Sequence, residues 1–160
     1  MSEMHVRPAV EADIPLILRF IRELAEYEKL SDQVTATEEI LTEWIFKRQR
    51  AEALIGEEDG APVGYALLFH NFSTFLGRAG IYIEDIYVRP EHRKKGYGKA
   101  FFKHIAGLCR DRGCGRLEWS CLDWNRPSID FYLSLGARPM EDWTIYRLNT
   151  DSINKLAEDL

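Results

Sequence analysis

Arg93-Lys94-Lys95-Gly96-Tyr97-Gly98 sets three cations and two glycines where an apolar strand meets the start of an amphipathic helix. The chemistry such a junction supports is the holding of a diphosphate. Residues 81–88 are rich in Ile, Tyr and Val and read as a strand; Pro90 forbids its simple continuation, and a helix follows from about Gly98. Backbone N–H groups of Gly96, Tyr97 and Gly98 then lie ahead of the intrahelical ladder, and the missing glycine Cβ atoms let an anion approach closely. Arg93, Lys94, Lys95 and, one turn on, Lys99 add charge of the sign that the helix dipole already favours. The run reads R-x-x-G-x-G and matches neither G-x-G-x-x-G nor G-x-x-x-x-G-K-[ST]. Its bland alternative is a solvated helix start.

The elements that must position this loop follow from periodicity. Residues 4–8 form a short strand, and Asp13 caps a helix with Ile14, Ile17, Leu18, Ile21 and Leu24 on one face and Pro15 in its first turn. Residues 30–34 read as loop; Thr35 and Glu38 then make a capping-box pair for a shorter helix through Ile40, Leu41, Trp44 and Ile45. Strands at 51–57 and 62–69 join through Asp59-Gly60, and a connection over 71–78 leads to a strand at 80–88. The helix from Gly98 buries Phe102, Ile105, Ala106 and Cys109 and ends near Gly113. A strand at 116–122, a helix at 128–135 stopped by Gly136, a last strand at 143–148 and a short helix at 152–156 complete the chain. This order predicts an α/β fold, a mixed central β-sheet flanked by helices on both faces.

A chain of 160 residues predicts one domain, 1–160, and its 46% hydrophobic content fits a soluble globule. Acids among the first 30 residues, and no apolar run near the length of a membrane span, predict a cytoplasmic protein with no membrane partner. Cys109, Cys114 and Cys121 lack metal-site spacing and any visible histidine partner for nucleophilic work, so no metal is expected. A net charge of -5 argues against a nucleic-acid surface and suits a small cationic substrate.

Together with Glu23-Leu24-Ala25-Glu26-Tyr27-Glu28-Lys29, Ile83-Glu84-Asp85 and the run from Trp124 to Tyr132, the R-x-x-G-x-G loop resembles the GNAT superfamily of acetyl-CoA-dependent N-acetyltransferases over nearly the whole chain. Within it the chain is similar to the diamine (spermidine/spermine) and thialysine N-acetyltransferase branch. The resemblance implies the GNAT fold, acetyl-CoA as cosubstrate, a homodimer, and acetylation of a small primary amine by direct attack in a ternary complex. It implies that 93–99 hold the CoA pyrophosphate, and that the backbone of Ile86, Tyr87 and Val88 pairs with the pantetheine arm if that strand splays from its neighbour. It further implies that Asn125, Arg126, Pro127 and Ser128 lie against the cofactor.

Acyl transfer to an amine needs a neutral nucleophile, yet an alkylammonium has an ordinary pKa near 10. Glu84 is the candidate proton acceptor or substrate anchor, and Tyr132, matching the family's tyrosine general acid, the donor to the departing thiolate. Tyr27, Glu28, Glu118, Trp119, Ser120, Glu141 and Trp143 are implied for the acceptor pocket. Strand alternation sends Asp85 to the face opposite Glu84 unless a bulge turns it, and assigns it as a cleft charge. Glu118-Trp119-Ser120 stand where diamine acetyltransferases have a less bulky set, which favours lysine-like amines such as thialysine at least equally. Two rivals remain, acetylation of a peptide or protein amine and a non-catalytic CoA-binding role.

Overall fold

Asp59 and Gly60 both have positive φ, 52° and 80°, the geometry of a two-residue turn whose twist matches the strands it joins. It closes β2, Glu52–Glu58, on β3, Ala61–Ser73. The structure, a computed structural model, describes residues 3–159. These divide into two compact units, one ending at Ser120 and one beginning at Cys121, and each is described by itself.

In the first unit, β1 (Met4–Pro8), β4 (Arg78–Val88) and β5 (Leu117–Trp119) complete one sheet of order β1-β2-β3-β4-β5. Four strands are antiparallel and β5 is parallel to β4, so the sheet is mixed as expected. β3 outruns its expected end because Phe69 and Tyr82 pair across it with ring centroids 5.2 Å apart, and a short turn replaces the longer expected connection.

One face of the sheet carries α1, Ile14–Tyr27, and α2, Glu38–Leu41, which widens into a π-helical stretch, Thr42–Lys47. Ile14, Ile17, Phe20 and Ile45 pack there with Ala53, Ile55, Tyr65 and Tyr87 of the strands. Asp13 stands at the start of α1, but its carboxylate accepts from the Val10 amide at 2.8 Å and from the Arg7 guanidinium at 2.8 and 3.0 Å rather than from a helix amide. The cap of α2 is Thr37, not Thr35: its hydroxyl accepts from the Ile40 amide at 3.2 Å.

The other face carries α3, Tyr97–Asp111, burying Phe101, Phe102, Ile105 and Cys109. Phe101, Ile105 and Cys109 recur at four-residue spacing and leave Ala106 exposed, against expectation. Gly56 of β2 is required beneath this helix, since a Cβ there would stand 2.8 Å from Phe101 Cζ. Helices therefore flank both faces.

In the second unit, α4 spans Arg126–Ser134 and is followed by Gly136 at φ 89°; α5, Thr150–Glu158, is longer than expected because Asn149 caps it at 2.9 Å. The expected strand at 143–148 does not form. Its residues have strand propensity, but a strand needs a neighbour for its backbone, and no described residue pairs with this segment. Trp143, Ile145 and Tyr146 are 76%, 76% and 92% exposed. No helix among the described residues is long and apolar enough to cross a membrane.

Candidate active site

The register of β3 against β4 slips by one residue in the middle of the sheet: Leu67 lies opposite Asp85 and Leu68 opposite Ile83. Glu84 is thus the extra residue of a β-bulge. Plain alternation would put Ile83 and Asp85 on one face. The bulge separates them, sending Asp85 to the α1 face with Tyr65 and Tyr87 while Ile83 stays on the α3 face. Glu84 itself is exposed.

The same irregularity ends the pairing with β5. That ladder has the rungs Ile81–Leu117, Tyr82–Glu118 and Ile83–Trp119. Beyond them the β5-side edge of Ile86, Tyr87 and Val88 has no strand partner among the described residues.

Below this edge the chain turns through a short 3₁₀ segment, Pro90–His92, into α3. Gly96, at φ 82°, is the N-cap, and a Cβ there would meet nothing within 4 Å. The first helical bond runs from the Ala100 amide to the Gly96 carbonyl at 3.0 Å, so Gly98 and Lys99 carry amides that precede the ladder. Several side chains expected on phosphate are otherwise engaged. Arg93 Nε donates to the Val88 carbonyl at 2.9 Å, and its guanidinium lies 4.6 Å over the Tyr27 ring and 5.7 Å over Tyr87. Lys95 Nζ and the Tyr97 hydroxyl both donate to Glu58, at 3.2 and 2.8 Å, and His92 Nδ1 lies 2.8 Å from the same carboxylate. The Tyr97 hydroxyl and Lys95 hold Glu58 below the usual carboxylate range. The loop's backbone, with exposed Lys94 and Lys99, is what remains turned to solvent.

On the α1 face three acids and a phenol come together. Glu28 ends α1 beside Tyr27, and its carboxyl is pushed up by burial and by the charge of Asp85. Asp85 is pushed up by burial, opposed by a 2.5 Å hydrogen bond from the Tyr65 hydroxyl. Tyr65 is fully buried, and desolvation first, then Asp85, Glu28 and Glu84, raise its phenol well above the ordinary range. The sequence reading missed Tyr65. Its only signal there is an inward position on a strand, and the partner that gives it meaning is set by the bulge.

Three other candidates answer elsewhere. Glu118 accepts from Asn71 Nδ2 at 3.0 Å and pairs with Arg116 at 3.1 Å. Trp119 packs edge-on against Phe102 of α3, centroids 4.7 Å apart. Ser120 shares a hydrogen bond with the Tyr82 hydroxyl. These contacts tie the trio to the sheet edge and α3 rather than to Glu28 and Asp85.

In the second unit, Asn125 is buried and its Oδ1 accepts from the Ser128 amide at 3.4 Å, with Pro127 in the first turn. Arg126 pairs with Asp130 at 3.1 Å along α4. Tyr132 is half-buried, its ring centroid 5.7 Å from that of Phe131. Glu141 and Trp143 are exposed.

Residues 18–137 match the acetyltransferase (GNAT) family. A thialysine N-epsilon-acetyltransferase of Bos taurus is 41% identical, with 98% of this chain and 99% of that protein covered. An L-ornithine N5-acetyltransferase of Arabidopsis thaliana is 27% identical over 94% of this chain and 86% of its own. Among solved structures, an integron cassette protein from the mobile metagenome of V. cholerae shares the fold with a TM-score of 0.81 at 24% identity, 98% of each chain covered.

Proposed function

This chain belongs to the acetyltransferase (GNAT) family and is an acetyl-CoA-dependent N-acetyltransferase, and we propose from that premise that it acetylates a primary amine of a small lysine-like, diamine or polyamine acceptor by direct attack in a ternary complex. The observation that carries the acceptor reading is the pair Glu28 and Asp85. Both are half-buried, both are pushed toward the neutral form, and neither meets a cationic side chain among the described residues. An ammonium supplies the missing charge. Relatives named for thialysine and L-ornithine point to acceptors with a terminal amine on a short chain.

The open edge of Ile86, Tyr87 and Val88 suits the amides of the pantetheine arm, and the first turn of α3 behind Gly96 suits the pyrophosphate, with Lys94 and Lys99 adding charge. Arg93 and Lys95 act mainly by shaping the loop. Residues 125–128 contribute further cofactor contacts. Glu84 takes the ammonium proton directly or through water, and the Tyr132 hydroxyl protonates the departing sulfur. The family match crosses the boundary at Ser120, which supports one catalytic domain. Exposed Trp143, Ile145 and Tyr146 support a homodimer; sedimentation as a single-chain species would overturn that.

An amine panel with acetyl-CoA and a free-thiol readout tests the function. Turnover with thialysine, ornithine or short diamines, and not with peptide N-termini, is expected. The reverse preference would make this a peptide acetyltransferase, and CoA binding with no acyl transfer to any amine would leave only the binding role.

A further inference from the structure

We propose that Tyr65 is a positioning residue of the acceptor site: its hydroxyl fixes one oxygen of the Asp85 carboxylate and so presents the other to the substrate ammonium. The inference rests on the amine-acetyltransferase reading above and names a residue that the sequence motifs do not contain.

A phenol in this position is unnecessary for packing. The Tyr65 ring stacks on Phe20 with centroids 5.5 Å apart and planes 3° from parallel, and a phenylalanine would fill the same slot. Phe20 is held in turn by Tyr87, edge-on at 6.0 Å, and by the Arg89 guanidinium 4.7 Å over its ring. With Tyr65 clamped in this way, its hydroxyl has a fixed position, and that position is 2.5 Å from Asp85 Oδ2. Among the described residues it is the only hydrogen-bond donor to Asp85.

Glu23 is answered by Arg89 at 3.2 Å, Asp13 by Arg7 at 2.8 Å and Glu58 by Lys95 at 3.2 Å. Among the described residues Asp85 meets no cation, only a neutral donor whose proton stays in place because burial and the surrounding acids push its release far above neutrality. The groups around Asp85 are Tyr65 from β3, Glu28 from the end of α1 and Glu84 of its own strand. Arg89 and Arg93 answer Glu23 and the Val88 carbonyl. A buried carboxylate held by one neutral hydrogen bond, beside a second carboxyl at Glu28, gains most when a substrate cation arrives.

Removing the hydroxyl leaves burial to act unopposed, so Asp85 takes up a proton at higher pH and loses its pull on the ammonium. The test uses full-length Tyr65→Phe and Asp85→Asn with thialysine as acceptor and saturating acetyl-CoA, across a pH series. Tyr65→Phe should raise amine KM about tenfold near neutral pH, with kcat little changed and CoA affinity by calorimetry unaltered. The acid limb of kcat/KM should move to higher pH, which a merely structural loss would not do. Asp85→Asn should raise amine KM at least as much and lose that limb. An unmoved acid limb and unchanged amine KM in Tyr65→Phe overturn the inference while leaving the enzyme's function standing. Unchanged amine KM in Asp85→Asn overturns it even if Tyr65→Phe does not fold. A wild-type protein that acetylates no amine overturns both readings together.

Discussion

The rung between Ile83 and Trp119 is the last one that joins β4 to β5. The bulge at Glu84 follows it directly, so one extra residue both opens the strand edge at 86–88 and turns Asp85 toward Glu28 and Tyr65. Trp119 belongs to the paired side of that junction, covered by Phe102. Trp119→Ala should therefore cost stability, about 2 kcal/mol for a half-buried aromatic, with amine KM nearly unchanged. Urea denaturation and steady-state kinetics check this; a raised amine KM at unchanged stability would return Trp119 to the acceptor pocket.

Gly96 occupies a left-handed conformation with open space where a Cβ would project. Gly96→Ala meets only the backbone penalty, about 1 kcal/mol. Gly96→Val adds bulk where the pyrophosphate is proposed to sit, and should weaken CoA binding about tenfold or more beyond any loss of folding. Calorimetry giving wild-type CoA affinity in a folded Gly96→Val protein would remove the loop from the cofactor site.

Asp13 ties β1 to the start of α1 through Arg7, and that hydrogen-bonded pair holds its carboxyl below the usual range. A group depressed on folding stabilises above its unfolded pKa, near 3.9, and the contribution is lost as pH falls through the lower folded value. Asp13→Asn should destabilise by about 1 to 3 kcal/mol at pH 7, and the gap from wild type should close in acid below about pH 4. Thermal unfolding at several pH values measures it; a gap independent of pH would assign the effect to the Val10 turn instead.

The loop, the sheet and most helices were legible because their signals are local. Asp59-Gly60 sets a turn, Gly96 a left-handed cap, and Ile14, Ile17 and Leu18 a buried face, each through its own backbone or periodicity. What was illegible depends on partners far apart in the chain. Whether Glu84 continues a strand or bulges is decided by the opposing register at Leu67 and Leu68, which alternation within β4 cannot reveal. Glu118 reads as a pocket acid until Asn71 and Arg116 are seen to occupy it, and Tyr65 reads as core until Asp85 meets its hydroxyl. The segment 143–148 has a strand's composition but forms no strand pairing among the described residues.

Tyr132→Phe removes one hydroxyl and keeps the packing against Phe131. If that hydroxyl protonates the departing thiolate, turnover should fall about 100-fold where chemistry limits the rate, with CoA affinity nearly unchanged. Rapid-quench single turnover separates chemistry from product release. A wild-type chemical step would dismiss the tyrosine as general acid.

Glu84 is exposed on the bulge, a position open to water and so suited to passing a proton outward. If it accepts the ammonium proton, Glu84→Gln should slow the reaction most at acidic to neutral pH, where free amine is scarce. The defect should shrink as pH rises toward the amine's own pKa, about 10. If Glu84 only anchors the substrate, the loss should fall on amine KM and stay level with pH. The two outcomes differ in kind, because a proton acceptor becomes steadily more dispensable as solution supplies the neutral amine, whereas an anchor keeps its cationic target throughout the range below the amine's pKa. A full profile of kcat and kcat/KM at saturating acetyl-CoA decides between them, and a level defect confined to KM would make Glu84 a binding residue.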